Sequence, residues 1–301
     1  MKRLCLVLLL AIGPGLAGAS GQAAAQDGAA FLAGTAKDCP RCDLRGASLD
    51  RRDLAGADLT GANLRGATFS RTILRGANLA GADLAGANLE GASLHRATLR
   101  GANLAGANLH DATFHRAVLR GANLTGADLT GANLNLAVLT SAKLEHATMV
   151  QAMLFQAEAN GADFTKANLT AALMGSVRLT VAKLDGADLS FTDLWEARLT
   201  NASLRNATLT DANLYAATLL RADLSGATGD RTNLVRASMR SANLSGAVLH
   251  GADLFQADLI EADLTRADLA SSRLLAAKLF NTNQTDTKFQ GAIMPDNSVH
   301  P

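Results

Sequence analysis

The chain has 301 residues, and its 28 Lys and Arg residues nearly balance 27 Asp and Glu residues, leaving a formal net charge of +1. This balance argues against a strongly basic nucleic-acid-binding protein and against a strongly acidic mimic of DNA. Hydrophobic residues make up 48% of the chain but aromatic residues only 4%, so the apolar share must come mainly from Ala and Leu. An ordinary core of mixed large side chains is therefore not expected.

The first 25 residues have the order of a secretory signal peptide. Lys2 and Arg3 precede an apolar run, and small residues follow this run up to Ala25, where an A-x-A site predicts cleavage. The apolar run is about half as long as the roughly 20 residues of a membrane-spanning helix, so a stable span is not expected. We therefore expect the mature chain, residues 26–301, to be periplasmic or secreted.

Two cysteines lie close together at the start of the mature chain, in the sequence Cys39-Pro40-Arg41-Cys42. In an oxidising compartment such a pair forms a small disulfide loop, and a disulfide between Cys39 and Cys42 is our prediction. Free thiols, or redox or metal chemistry, are the alternatives. No second Cys pair or spaced His pair completes a metal site, and Asp43 stands where a haem-attachment motif needs His.

A five-residue period organises the chain from Leu44 to Phe289. Every fifth residue in this range is a repeat centre, and 40 of the 50 centres are Leu. The residue two positions before each centre is usually small, and it is Ala at 41 of the 50 positions. The unit reads Ala, then Asp, Asn, Ser or Thr, then Leu, then any residue and often Gly, as in residues 57–61.

Neither an α-helix nor a straight strand is compatible with this period. On a helix, five residues rotate by about 500°, so successive Leu residues would spiral around the whole surface. On a strand, an odd period would point successive Leu residues to opposite faces. The chain must therefore turn a corner once per unit, and Gly, Asn and Asp supply the turn chemistry. Repeated turning in one direction stacks the chain into a coil in which each turn pairs only with its neighbours.

This pattern resembles that of pentapeptide-repeat proteins over roughly residues 42–293. The resemblance implies an all-β fold, a right-handed quadrilateral parallel β-helix with four units per turn, so that 50 units make about twelve coils. On this basis the chain divides into a signal peptide (1–25), an N-terminal cap segment (26–41), the β-helix (42–293) and a C-terminal tail (294–301).

The ends of such a solenoid expose unpaired backbone and bare Leu side chains unless something covers them. Residues 27–40 could lie over the first coil, held there by the Cys pair. No C-terminal helix is apparent, and Gln284 breaks the Leu series, so the last coil is either poorly capped or paired with a second copy. The resemblance adds that some members dimerise end to end. Arg52 at an inward site, and Ala159 and Gly229 at Leu sites, indicate local irregularities or small cavities rather than ligand sites.

Outward residues twenty positions apart should stack in columns, and one column with its neighbours forms an apolar stripe. It contains the only Trp and the only Tyr of the chain. Such patches commonly mark contact surfaces, and Trp, Tyr and Phe are frequent interface anchors. The alternative is that these side chains only stabilise neighbouring coils. The stripe comprises Met153, Phe155, Leu173, Trp195, Tyr215, Val235, Phe255 and Leu275.

The sequence offers no constellation of nucleophile, base and orienting residue and no phosphate-binding loop, so neither an enzyme nor a cofactor is expected. His95 and His115, one coil apart, lack a carboxylate partner and make a poor metal site. We expect an exported, non-catalytic solenoid that acts as a structural or protein-interaction module, with a protein or a second copy as partner and no nucleic acid. The alternative, implied by cytoplasmic relatives, is a DNA mimic that binds and protects a type II topoisomerase such as gyrase. Such mimicry depends on a dense negative surface.

Overall fold

A computed structural model describes residues 28–301 of the chain. The predicted signal peptide, residues 1–25, lies outside the described residues. The described part begins with a short helix, α1, at residues 28–32, and from Asp43 onward every fifth residue forms a β-bridge. No helix within residues 28–301 is both long enough and apolar enough to cross a membrane.

The β structure consists of single bridged residues rather than extended strands. Every fifth residue from Asp43 to Arg273 forms a parallel bridge with the residue twenty positions further along, and the last of these bridges ends at Ile293. Each coil therefore contributes one bridged residue to each of four walls, and the chain forms a four-walled parallel β-helix, as the family resemblance implied. We number the walls by their first bridged residues, which for walls 1 to 4 are Asp43, Ser48, Asp53 and Asp58.

A tight turn separates each wall from the next. In one of these turns the amide of Ala47 donates to the carbonyl of Leu44 at 3.1 Å, and Gly46 between them has a φ of 63°. A four-residue turn with a positive φ at its third residue corresponds to type II. The positive φ recurs at every fifth residue from Arg41 to Gly291, whether or not that residue is glycine. The backbone thus turns the same way once per unit, which keeps every repeat centre directed at the axis.

Leu and Ala fill the interior in layers, as the period predicted. Ala57 and Leu59 are both fully buried, and this pattern continues with few exceptions to Leu274. Fully burying one Leu side chain contributes about 1.5–3 kcal/mol, so the repeated Leu is the main source of stability. On the outside, Asn and Asp side chains form hydrogen bonds from one coil to the next. For example, Asn103 Nδ2 donates to Asp83 Oδ1 at 2.9 Å.

Arg52 does not enter the interior, although its position in the repeat is an inward one. Its guanidinium donates to the carbonyl of Phe31 at 3.0 Å and lies 5.6 Å from the centre of the Phe31 ring. Phe31 belongs to α1 and is fully buried. Removing a guanidinium from the interior avoids the cost of burying an unpaired charge, and here it attaches α1 to the first coil.

Gly229, at a Leu position, leaves no empty space. A Cβ atom built on Gly229 would lie 2.9 Å from Leu249 Cδ2 and 3.1 Å from Leu209 Cβ, and it would clash with the hydroxyl of Thr232. That hydroxyl lies 2.6 Å from the carbonyl oxygen of Gly229 and 2.9 Å from that of Leu209, and its one proton is donated to these carbonyls. Neighbouring side chains have therefore closed over the missing Leu. Ala159, the other departure, is also fully buried.

The two ends of the described chain are held in different ways. The sulfur atoms of Cys39 and Cys42 are at disulfide distance, 1.97 Å apart, and the amide of Cys39 already pairs with the next coil through the carbonyl of Asp58 at 2.8 Å. At the other end the tail reverses direction, and Val299 forms an antiparallel bridge with Ile293. The tail therefore pairs with Ile293 of wall 3, and the His300 ring lies against Phe289 of wall 2, with ring centres 5.8 Å apart.

Walls 4 and 1 of the last coil remain open. Gln284 is exposed and Leu279 is partly exposed. The amides of Leu279, Gln284 and Phe289 find no backbone acceptor within the described residues, whereas the amide of Gly291, which faces the tail, donates to His300 O at 2.9 Å.

Candidate interaction surface

The structure places all eight stripe residues on wall 3, in successive coils. Their stacking follows from backbone bonds between coils: the amide of Ser176 donates to Trp195 O at 2.8 Å, and the amide of Glu196 donates to Tyr215 O at 2.8 Å. Leu173 is 50% exposed and Phe155 is 38% exposed, while the other six members are half-buried. The predicted column is therefore a physical row of side chains.

Phe155 and Trp195 meet across an intervening coil. Their ring centres are 6.0 Å apart with an interplanar angle of 33°, a tilted arrangement in the favourable range for aromatic pairs. Gly175 lies between them and is buried, because the indole covers it: a Cβ atom at that position would lie 2.6 Å from Trp195 Cε2. Glycine at 175 thus permits a contact between residues forty positions apart, for which any larger residue leaves no room.

Arginine side chains accompany the aromatic residues nearer the C terminus. Arg236 Nη1 donates to the hydroxyl of Tyr215 at 3.1 Å. The guanidinium of Arg273 lies 4.8 Å from the centre of the Phe255 ring, within cation–π range. The two halves of the stripe therefore differ, with an apolar half around Trp195 and a half around Phe255 that carries cations.

Phe191 is an exposed aromatic residue that the column analysis missed. It is 61% exposed and stands at the corner that leads into wall 3, with a φ of 58°. The signal was present in the sequence, since residues twenty apart in its own column are otherwise Gly, Ala, polar or charged, including Arg71, Gly91 and Gln151.

An open groove of about 410 Å³ runs along the opposite corner of wall 3. Within it Arg178 Nη1 and Glu158 Oε1 form an ion pair at 3.1 Å. A charged groove beside an exposed apolar stripe has the anatomy of a protein interface, in which a polar rim surrounds an apolar centre. The lining residues are Leu136, Gln156, Glu158, Ser176, Arg178, Glu196 and Arg198.

His95 and His115 stack on wall 3, with ring centres 5.2 Å apart and an interplanar angle of 7°. Burial, together with the charges of Arg96, His115, Arg75 and Arg116, lowers the pKa of His95 below its ordinary value. No group of three His, Cys, Asp or Glu side chains in residues 28–301 is arranged to hold a metal ion. The pair therefore lies among cations rather than among metal-binding carboxylates.

Comparison with known proteins agrees with this architecture. The family model described as Pentapeptide repeats (8 copies) matches segments that extend from residues 38–76 to residues 257–294. HetL from the cyanobacterium Nostoc sp. strain PCC 7120, a pentapeptide-repeat protein involved in heterocyst differentiation regulation, is 31% identical, with 90% of this chain and 97% of that chain covered and a TM-score of 0.22.

Two further solved structures are similar over shorter stretches. Rfr23, a pentapeptide-repeat protein from Cyanothece 51142, is 33% identical, with 33% of this chain and 64% of that chain covered and a TM-score of 0.26. QnrB1, a plasmid-mediated fluoroquinolone resistance protein, is 17% identical, with 67% of this chain and 89% of that chain covered and a TM-score of 0.27. Comparison with curated proteins finds no match. The family model, whose matches extend over most of the chain, shows that this chain belongs to the pentapeptide-repeat family.

Proposed function

We propose that the chain is an exported, non-catalytic solenoid that binds a protein partner through the apolar half of the stripe. The observation that carries this proposal is the apolar surface formed by exposed Phe155 and Leu173 and the half-buried Trp195 ring, with Phe191 exposed at the neighbouring corner. Isolated exposed apolar residues need no explanation, but several on one wall in adjacent coils are typical of contact surfaces.

The rigidity of the wall supports the same proposal. Each coil is hydrogen-bonded to the next, so the aromatic side chains are presented on a preformed backbone. Preformed surfaces lose little conformational entropy on binding. Trp195 is further restrained by its contact with Phe155, which suits it to be an interface anchor.

The test is a pair of serine substitutions, Phe155→Ser and Trp195→Ser, in the mature protein. Loss of an interface anchor typically weakens binding by about 2 kcal/mol or more, or roughly 30-fold. We expect the double variant to lose the partner, or the self-association, that the wild type shows in affinity capture from the native envelope and in sedimentation velocity.

Ile73→Ser is the matched control, because Ile73 is 44% exposed on the same wall but lies several coils away from the stripe. Circular dichroism and thermal melting establish that each variant is folded. Retention of the same partner by the double variant, or its loss from the control as well, would contradict the proposed surface.

The proposal also includes export of the chain and the way in which the two ends of the solenoid are covered. We propose cleavage after Ala25, delivery to the periplasm or exterior, and about twelve coils closed at the start by residues 26–41, of which the buried Phe31 forms the contact. Finding the full-length chain in the cytosol would overturn export. The open walls of the last coil favour a homodimer through that coil, which sedimentation at increasing concentration tests.

A further inference from the structure

A cluster of cationic side chains lies on walls 3 and 4 and on the corner between them. It occupies three consecutive coils, before the stripe begins. We call it the basic ridge. Its members are Arg75, His95, Arg96, Arg100, His115, Arg116 and Arg120.

Backbone bonds between coils bring these residues together. The amide of Gly76 donates to His95 O at 2.9 Å, and the amide of Arg96 donates to His115 O at 3.0 Å. On wall 4 the amide of Gly101 donates to Arg120 O at 3.0 Å. The members therefore stand one above another at the coil spacing of about 4.8 Å.

Carboxylates are absent from this surface. The segments that form walls 3 and 4 in these coils, residues 73–81, 93–101 and 113–121, contain no Asp or Glu. All five arginine residues are exposed, and within the described residues none of them forms a salt bridge. The effect of the surrounding cations on the pKa of His95 is consistent with this concentration of positive charge.

Elsewhere on the solenoid, cations are commonly paired with a carboxylate one coil away. Examples are Arg205 with Asp185 at 2.6 Å and Lys183 with Asp163 at 3.1 Å. The chain as a whole is nearly neutral, but residues 28–125 contain twelve Lys and Arg against eight Asp and Glu, whereas residues 126–301 contain fourteen against eighteen. The ridge is therefore a local concentration of charge that the rest of the surface does not share.

We propose that the basic ridge binds the phosphate groups of an anionic membrane surface. Arginine suits this role because its planar guanidinium forms two parallel hydrogen bonds to one phosphate. Lipid headgroups diffuse laterally and can occupy each guanidinium in turn, so that no preformed pocket is required.

The form of the ridge favours lipid over the other polyanions. It follows the edges of the solenoid, and its residues line neither the groove beside wall 3 nor the pocket around Arg52. A protein partner would need an anchor, but no aromatic residue is exposed in these segments, since Phe114 is fully buried. A duplex nucleic acid would be expected to select a protein that is basic overall, and this chain has a pI near 7.8.

His95 makes the binding depend on pH. His95 faces Arg75, Arg96, His115 and Arg116, which oppose its protonation. An anionic surface would offset these charges, so that proton uptake and lipid binding reinforce each other. We expect binding to strengthen as the pH falls below about 6.5, and His95→Gln to weaken that dependence.

Sedimentation of the mature protein with vesicles tests the proposal. Phosphatidylcholine vesicles containing phosphatidylglycerol are expected to bind it, whereas vesicles of phosphatidylcholine alone are not. At about 1 kcal/mol for each basic residue near an anionic leaflet, Arg96→Gln/Arg116→Gln should weaken binding roughly 30-fold. High salt should abolish it, because the screening length falls to about 3 Å at 1 M.

Arg221→Gln/Arg266→Gln is the matched control. Arg221 and Arg266 also stand at corners with a positive φ, 53° and 56°, and the corresponding values for Arg96 and Arg116 are 56° and 58°. The control removes the same net charge. It should bind anionic vesicles as the wild type does. Equal binding to neutral vesicles, an equal loss in both double variants, or displacement from the vesicles by duplex DNA of equal phosphate concentration would each overturn the proposal.

Discussion

The corners of the solenoid divide the molecule into two regions. Between Arg41 and Gly131, 13 of 19 corner residues are glycine, whereas between Leu136 and Gly291 only 6 of 32 are glycine. The φ values are nevertheless alike, as at Gly81 with 64° and Val181 with 53°. A left-handed backbone costs a non-glycine residue about 1–2 kcal/mol. Pairing between coils therefore imposes the corner geometry even where the residue does not favour it.

The difference also shows where the molecule carries side chains at its corners. In the first region the six corners that are not glycine are all charged, and Arg96 and Arg116 of the basic ridge are among them. In the second region the corners include Leu136, Phe191 and Glu196, which border wall 3 around the stripe. The positions that bear backbone strain are thus the positions that shape the two candidate surfaces.

Gly229→Leu is expected to have the largest effect. It introduces the Leu that is present at the neighbouring repeat centres of wall 2. We expect a loss of about 1–3 kcal/mol in the free energy of unfolding, since Leu249 and Thr232 already occupy the space. Urea denaturation measures it. Adding Thr232→Ala, which recreates the pairing of Leu89 with Ala92 across the same corner between walls 2 and 3, should recover part of the loss. A gain in stability from the single variant would mean that a void exists at Gly229.

Val181→Gly and Gly81→Val test whether non-glycine residues at the corners of the second region carry backbone strain that the glycine corners of the first region do not. Both positions lie at the corner between walls 4 and 1, five coils apart, and an added Cβ at Gly81 meets no atom within 4 Å. Relief of a β-branched residue at positive φ should stabilise the protein by about 1 kcal/mol, and the reverse change should destabilise it by about 1–2 kcal/mol. Urea denaturation of both variants checks this. Changes of the same sign in the two variants would show that the corners differ in something other than strain.

Acid should affect the second region more than the first. Burial raises the pKa of Asp185, but hydrogen bonds from Arg205 and Ser203 outweigh this effect and hold the pKa below its ordinary value. Burial likewise raises the pKa of Asp163, and hydrogen bonds from Thr165 and Lys183 outweigh it. A carboxyl whose pKa is lower in the folded state contributes stability above its unfolded value of about 4, and this contribution disappears as the pH falls through the folded value.

Hydrogen exchange measured while the pH is lowered below about 4 should therefore show earlier loss of protection in the coils around Asp163 and Asp185 than in the coils around Leu104. Asp185→Asn, which cannot titrate, should reduce the local pH dependence by a few tenths of a kcal/mol. Uniform loss along the solenoid would indicate that these ion pairs are too exposed to matter.

Some of the candidate surface could be predicted from periodicity and some could not. The twenty-residue columns placed Trp195 and Tyr215 on one wall because coil length depends only on the repeat. The contact of Trp195 with Phe155 was not predictable, since it depends on a side-chain conformation that Gly175 allows. Phe191 was not predicted, because it stands at the corner beside the apolar column and its own column is otherwise small, polar or charged.

The five-residue period, the inward Leu and Ala and the identity of the columns follow from the sequence alone. A chain that turns once per unit can bury its apolar residues in only one way. Only the tertiary structure decided that Arg52 leaves the interior for Phe31, that neighbours close over Gly229, and that the tail bonds to the last strand of wall 3. Each of these outcomes depends on atoms that belong to different repeats or coils, and a periodic pattern holds no information about how such atoms compete for the same space.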